Sequence, residues 1–438
     1  MTTMSPARAV PLGLLALIVA LLVALTGCGG DANDEAPSAA GAGAQATGDP
    51  VKVGEEVTGK PIVIGSICSC TGPVSSSSGA VPATLQAWVK WTNTHGGING
   101  HPVKIVQMDD GLDAAKTVKQ VKELVEKHHV MAIVGEVSNL SNLWADYVER
   151  QGIPVVGAGV FNTTYESNPT FFPTGAQNPT QVYGAVKAIQ QLGKSKIALM
   201  PCAESPSCQN YVALFKAVAQ QLGGVSVVSS QRITSDAPNY TAACLSARQS
   251  GADVLAVLAA PSVVTRVTAN CSQQGYKPAG VNLSFVPGPD WAKDPNLQGM
   301  VTITPNQSLW DTSIPPNKEF SDALDTFAEG IKDRPEYNPA DASAWAAAQV
   351  FKLAAERADI GPDSTPADVK RGLWTFEDET LGGLTPPLTF TKGDPPPLVA
   401  CNYVSKIEKQ TWVAPDGAKP TCVAPKDMER VRSLLARG

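Results

Sequence analysis

From Lys60 onward one rhythm repeats: a short apolar run closed by turn residues, then roughly 10–15 residues with apolar side chains at helical spacing. No other feature of the chain restricts its fold as much. Strands that alternate with helices pair in parallel through right-handed crossovers, because a twisted strand feeding a helix packs back onto its sheet only with that hand. The run 62–67 is bounded by Pro61 and by Thr71-Gly72-Pro73 and reads as a buried strand. A helix over 80–94 carries Leu85, Trp88 and Val89 at helical spacing and stops at Gly96-Gly97. Further strands are predicted at 103–108, 131–134, 154–156, 197–200, 225–228, 254–258 and 283–286. Helices are predicted at 113–128, with Asp113 as its cap, and at 138–151, 181–192, 209–222, 240–250 and 263–274. A long helix at 340–358, rich in Ala and holding Trp345, belongs with them. So many βαβ units exceed one open sheet. The expected fold class is α/β, two doubly wound parallel-sheet lobes. The tail differs, since 386–390, 400–407 and 410–413 read as antiparallel strands.

Composition narrows the function classes. Lys and Arg number 34 against 40 Asp and Glu, so no basic excess exists to neutralise phosphates, and a general nucleic-acid binder is excluded. With 43% hydrophobic residues and a net charge of −6, most of the chain is not of disordered composition. The only long apolar run, 12–25, lies at the extreme N-terminus, which excludes a polytopic membrane protein.

Arg8 precedes that run, and Leu25-Thr26-Gly27-Cys28 ends it. A basic start, an apolar stretch shorter than the about 20 residues of a membrane span, and small residues at its end read as a secretion signal over 1–27. Leu-Thr-Gly-Cys resembles the bacterial lipobox. The resemblance implies cleavage before Cys28, diacylation of its thiol, and lipid anchoring on the outer, extracytoplasmic face of the cytoplasmic membrane. Of the 22 residues 29–50, 14 are Gly, Ala or Pro, so 28–60 reads as anchor and flexible tether.

Nine cysteines less Cys28 leave eight, an even number that suits an oxidising compartment. Spacing suggests Cys202 with Cys208 around a Pro-containing loop, Cys401 with Cys422, and Cys244 with Cys271 on successive helices. Cys68 and Cys70 remain as the last pair. Neither Cys-x2-Cys pairs nor clustered His point to a metal, and no cofactor is expected. Gly54-Glu55-Glu56-Val57-Thr58-Gly59-Lys60-Pro61 fails as a phosphate loop, since Pro61 has no hydroxyl and the segment precedes its strand. A Gly-x-Ser-x-Gly elbow is also missing, so no catalytic residue is assigned.

Trp91-Thr92-Asn93-Thr94-His95-Gly96-Gly97-Ile98-Asn99-Gly100-His101-Pro102-Val103, followed by Asp109-Asp110, resembles the amino-acid-binding receptors of ABC importers. These form the type I periplasmic-binding family, which includes the leucine/isoleucine/valine-binding proteins. Gly96-Gly97 would end the helix in a left-handed cap, and Asn99-Gly100 would turn the chain into its second strand. Thr71-Gly72-Pro73-Val74, Ile133-Val134-Gly135, Gly152-Ile153-Pro154-Val155 and Gly288-Pro289-Asp290 extend the resemblance over about 62–390. It implies two lobes joined by three crossings, with a ligand trapped between them by hinge closure. Element order puts the crossings near 173–177, 304–306 and 382–386. That assigns 61–175 and 305–384 to one lobe and 176–304 to the other, with 385–438 returning to the second as a disulfide-bearing extension.

Ligand groups are expected on loops after strands. Ser77 lies in a run of four serines before a helix, which could hold an anionic group. Ser138 and Asn139, read as a helix start, align with the family's carboxylate-binding Ser. Gly159, Phe161 and Asn162 align with the segment that holds the ligand ammonium, and Asp290 with the acid that pairs with it. The family's ligand-wrapping Tyr positions fall near Ser77, Pro206 and Pro261, and Tyr211 is off register. These departures argue against branched-chain amino acids and leave a small amino acid, amide, organic acid or aromatic compound as ligand. The expected partners are that ligand, an ABC permease and, through Cys28, the membrane, with the receptor a monomer. A signalling lipoprotein that senses the ligand is the alternative reading, and a secreted enzyme a more distant one.

Overall fold

Strand β1 (Ile62–Cys68) buries every residue but Val63, as a strand covered by helices on both faces must. The computed structural model describes residues 54–204, 206–283 and 287–434, so the signal, Cys28 and the tether through residue 53 lie outside the described residues. After β1 come α1 (Ser75–Ser78), α2 (Val81–Thr94), β2 (Val103–Asp109), α3 (Ala114–Glu126) and β3 (Ile133–Glu136). Then follow α4 (Ala145–Gln151), β4 (Val155–Gly157), α5 (Thr164–Ser167) and β5 (Phe171–Pro173). These strands form one parallel sheet in the order β2-β1-β3-β4-β5.

A second series repeats the plan: α6 (Asn178–Gln191), β6 (Lys196–Pro201), α7 (Pro206–Leu222), β7 (Ser226–Ser230) and α8 (Thr241–Gln249). It continues with β8 (Val254–Leu258), α9 (Pro261–Gln273), β9 (Ala279–Leu283) and β10 (Val301–Thr304). The sheet order β10-β9-β8-β6-β7 reproduces the first sheet's topology, and its pairings are parallel. The chain then forms α10 (Pro315–Phe327), α11 (Pro339–Arg357) and α12 (Pro366–Leu373), and α10 and α11 pack on the first sheet's α2. It returns to the second sheet as β11 (Cys401–Glu408) and β12 (Thr411–Val413), both antiparallel, with β13 (Thr421–Cys422) paired to β11. The fold is α/β, and each sheet with its helices is a lobe.

The first lobe is built around α11. Pro339 opens it, Asn338 and Asp341 form a reciprocal capping box, and Trp345 and Phe351 are fully buried against the neighbouring elements. In the second lobe Cys244 and Cys271 join α8 to α9. Cys202–Cys208, Cys401–Cys422 and Cys68–Cys70 are bonded as well, so the eight cysteines pair as their spacing suggested.

Several elements differ from the sequence reading. The helix expected over 138–151 begins only at Ala145, after a short turn at Ser141–Leu143, because Ser138 is bound into the sheet's polar underlayer instead of capping a helix. The strand expected at 283–286 lies at Ala279–Leu283, and 284–286 are outside the described residues. The segment 386–390 makes only an isolated bridge from Leu388 to Glu379. Leu388 and Phe390 pack in the first lobe's core, so the third crossing follows Phe390 instead of falling at 382–386.

The segments that join the lobes are tied to one another. The Asn306 side chain donates to the Thr174 carbonyl at 2.6 Å and accepts from the Ser343 hydroxyl at 2.7 Å. A Cβ at Gly175 would lie 2.7 Å from the Pro305 carbonyl oxygen, so this close approach requires glycine. Gln177 is fully buried; its amide donates to the carbonyls of Tyr165 (3.2 Å) and Pro397 (2.9 Å) and accepts from the Val399 N–H at 2.8 Å. Gln177→Ala would strand the last two backbone groups away from water. The expected loss is roughly 3 kcal/mol of stability, read as a lower urea midpoint with an unchanged denaturant slope.

Candidate ligand site where the two sheets face each other

In an open parallel sheet the chain leaves the C-terminal ends of two adjacent strands in opposite directions, and a crevice opens between the diverging loops. In the first lobe this point lies between β1 and β3. Cys68 bridges to Val137 there, and the Asn139 N–H donates to Ser69 Oγ at 3.0 Å. In the second lobe it lies between β6 and β8, where the Cys202 N–H donates to the Leu258 carbonyl at 2.9 Å. Cys68–Cys70 and Cys202–Cys208 close the loops that leave β1 and β6, the first strand of each lobe.

The two crevices meet. Ser76 on α1 and Ser262 at the start of α9 place their hydroxyl oxygens 3.3 Å apart. The Asn178 side chain, opening α6, donates to the Phe161 carbonyl at 2.9 Å. Trp310, packed on the first lobe, stacks on Trp412 of β12 with ring centres 5.7 Å apart. The surfaces that carry the loops after β1 and β8 are thus among those that face each other across the lobes.

Most of the residues expected in the first lobe's half of the site come together. Ser138 is fully buried with every polar group engaged. Its N–H donates to Glu136 (2.9 Å), its hydroxyl to Asp110 (2.5 Å), and its carbonyl accepts from the Asn162 side chain (2.8 Å). It stands on no helix terminus, so the expected anion site at a helix start is corrected: the side chain serves the buried acids behind it. Gly159 lies directly on Glu136, whose carboxylate oxygen would be 2.7 Å from an added Cβ. Asn162 is buried and also donates to the Gly159 carbonyl at 3.3 Å. Asn139 and Phe161 are half-buried at the edge of this cluster.

Ser77 is half-buried in the single turn α1, between Ser76, which meets Ser262, and Ser78, which donates to the Ser69 carbonyl at 2.7 Å. Asp290 stands apart. It is exposed on a short turn after β9, and among the described residues no hydrogen bond joins it to the first lobe's cluster. Gly288 beside it packs against Pro261 at the start of α9, which puts Asp290 on the rim of the second lobe's wall.

Sequence reasoning missed the supporting layer: Ser69, Asp110, Glu136, Tyr165, Asn178 and Ser262. One signal was available, since Glu136 is an acid inside the apolar run Ile133-Val134-Gly135-Glu136-Val137. Burial pushes its carboxyl up to about 8, with Asp110 adding to the rise, while hydrogen bonds from Tyr165 (2.7 Å) and the Ser138 N–H pull the other way. Burial and the neighbouring Glu136 raise the Tyr165 hydroxyl well above its usual value. Asp109 goes the opposite way. Burial raises it, but the Thr71 hydroxyl and the amides of Gly111, Cys70 and Thr71 together hold it below the ordinary carboxylate value. It thereby pins the loop that leaves β1.

Residues 61–411 match the periplasmic binding protein family. Among individual proteins, a Leu/Ile/Val-binding protein homolog 7 of Brucella suis is 24% identical over 292 residues, covering 62% of this chain and 70% of that one. A branched-chain amino acid ABC transporter protein of Thermus thermophilus, solved with bound valine, superposes with a TM-score of 0.75 at 17% identity, over 86% of this chain and 99% of the other. A solute-binding protein of R. palustris in complex with benzoate gives 0.69 at 14% identity, over 84% and 98%. A fatty acid ABC transporter substrate-binding protein of Thermomonospora curvata gives 0.68 at 18% identity, over 83% and 93%. These structures share the fold.

The buried acids set a pH dependence whose sign is fixed. Glu136 rises from 4.5 to about 8, and burial takes Asp341 from 3.8 to about 7. Both hold protons in the folded chain at pH values where the unfolded chain has lost them. Their contribution is complete below the unfolded values and is lost as pH climbs through the folded ones, by about 1.4 kcal/mol per pH unit for each group inside its window. Urea unfolding is therefore expected to show lower stability at the upper end of this window than at its lower end, and Glu136→Gln to flatten the slope.

Proposed function

Because this chain belongs to the periplasmic binding protein family, we propose that it is an extracytoplasmic solute-binding lipoprotein of an ABC importer. In this reading it holds one small polar ligand, an amino acid, amide or organic acid, between its lobes and presents it to a membrane permease. The observation that carries it is the meeting of the two crevices, with the hydroxyls of Ser76 and Ser262 3.3 Å apart across the lobes. A ligand seated there touches both walls only when the lobes are together, so its binding energy favours that arrangement. No bond needs to be made or broken, and the site residues act by positioning alone.

Asn139 offers the side chain of the first lobe's wall that is not sealed behind it, while Ser138, Gly159 and Asn162 shape that wall from within. Ser77 and Phe161 flank it. Asp290 on the opposite rim supplies a carboxylate for a ligand ammonium, a charge-assisted pair that selects against uncharged analogues. Of two similar structures, one holds valine, an amino acid, and the other benzoate, an organic acid. Diacylation at Cys28 would tether the receptor beside its permease, and among the described residues no helix is long and apolar enough to cross a membrane.

A thermal-shift screen of amino acids, amides and organic acids tests the reading. A ligand at a hundredfold excess over its Kd adds about 2.7 kcal/mol and raises Tm by roughly 2–4 °C in a chain of this size. Silence across all three classes would remove the receptor reading. For an ammonium-bearing ligand, Asp290→Asn is expected to weaken binding about tenfold or more while leaving the Tm of the free protein unchanged, since the side chain is exposed.

A further inference from the structure

A separate cavity of about 230 Å³ opens between α5 of the first lobe and α7 of the second. Thr163 and Glu166 line one side, Asn210, Leu214 and Ala217 the other, and Leu434 completes the apolar wall. Of the residues assigned to the ligand site and its supporting layer, Asn178 alone among the described residues also lines it.

Among the described residues Glu166 is its only carboxyl, and it is 7% exposed. Its Oε1 has no hydrogen-bond partner among the described residues. A buried carboxyl oxygen left without a partner is rare in a folded protein and marks a place where a water, ion or ligand belongs. Among the described residues no Lys or Arg lines the cavity, and Tyr211 is the only other titratable residue there. Burial pushes the Glu166 carboxyl up to about 8, with a hydrogen bond from Asn178 working against the rise, so without a counter-ion it is neutral near pH 7.

The chemistry of the walls selects an occupant. An anion finds no cation among the described residues of the walls, and a neutral alcohol leaves the carboxyl unionised. A short alkylammonium satisfies both parts, its ammonium on the carboxylate and its chain on Leu214, Ala217 and Leu434. We propose that this cavity is a second binding site, specific for a small primary alkylammonium, with Glu166 as its counter-ion. Binding converts the neutral acid and the free ammonium into an ion pair and releases the carboxyl proton to solvent. Both lobes supply walls, so occupancy also favours the arrangement in which they are together.

Calorimetry of the full chain with n-propylammonium chloride, and with n-propanol as the neutral control, tests this at about pH 7 in buffers of different ionisation heat. The expected result is binding of the ammonium with release of most of one proton per molecule, and no binding of the alcohol. Glu166→Gln is isosteric with the neutral acid and keeps the fold, which an unchanged Tm near pH 7 verifies; it should weaken the ammonium about tenfold or more. Leu214→Trp fills the cavity and should abolish binding, whereas Asp290→Asn should leave it intact. Equal response to ammonium and alcohol, unchanged affinity in Glu166→Gln, loss in Asp290→Asn, or no heat at all would overturn the site, the last meaning that the cavity holds only water. None of these outcomes depends on the solute carried by the main site.

Discussion

Each lobe depends on the position of its first strand. β1 pairs with β2 on one edge and β3 on the other, and β6 pairs with β7 and β8 in the same way. A central parallel strand is covered by crossover helices on both faces, which is why 62–67 and 197–200 read as continuous apolar runs. The same arrangement leaves a crevice at the C-terminal end of that strand, where the following loops part. Both crevices are closed by a disulfide just after the first strand, and they lie opposite one another. The remaining elements cover the sheets or connect them.

The wall of the first lobe is stiffened at an energetic cost. Asp110 and Glu136 are taken from water and compensated by Ser138, Tyr165 and the N–H groups of the loops. Burying two acids side by side is unfavourable unless their oxygens are hydrogen-bonded, and a proton on Glu136 lowers the cost further. In return the backbone at 138 and at 159–162 is fixed by contacts that do not involve a ligand. The junction between the lobes is built in the same manner, with Gln177 and Asn306 holding the crossing segments by their side-chain amides.

Much of the architecture was legible because it rests on local patterns. Most of the apolar runs, the Gly96-Gly97 stop, the Asp113 cap and the long Ala-rich helix occur where their spacing placed them. The spacing of the cysteines led to the pairs that form. What failed depends on contacts distant in sequence. Ser138 carries the ordinary signature of a helix cap, and only the packing of Asp110 and Glu136 beneath it turns it into part of a loop. β5 and β10 were missed; each is short and ends where the chain crosses between the lobes. Of the candidate site, the loops were legible from their place after strands. Of the acids that support them, Glu136 left a signal as an acid inside an apolar run, whereas Asp110 is recognised only by its partners.

Closure of the two crevices on one ligand is the claim on which the functional reading stands. It is tested most directly by small-angle X-ray scattering from the chain, alone and saturated with its solute. If the lobes are brought together by the ligand, the radius of gyration falls on saturation and the saturated profile fits the arrangement in which Ser76 and Ser262 touch. A ligand that binds tightly while the profile stays unchanged would contradict closure and place the solute elsewhere on the protein.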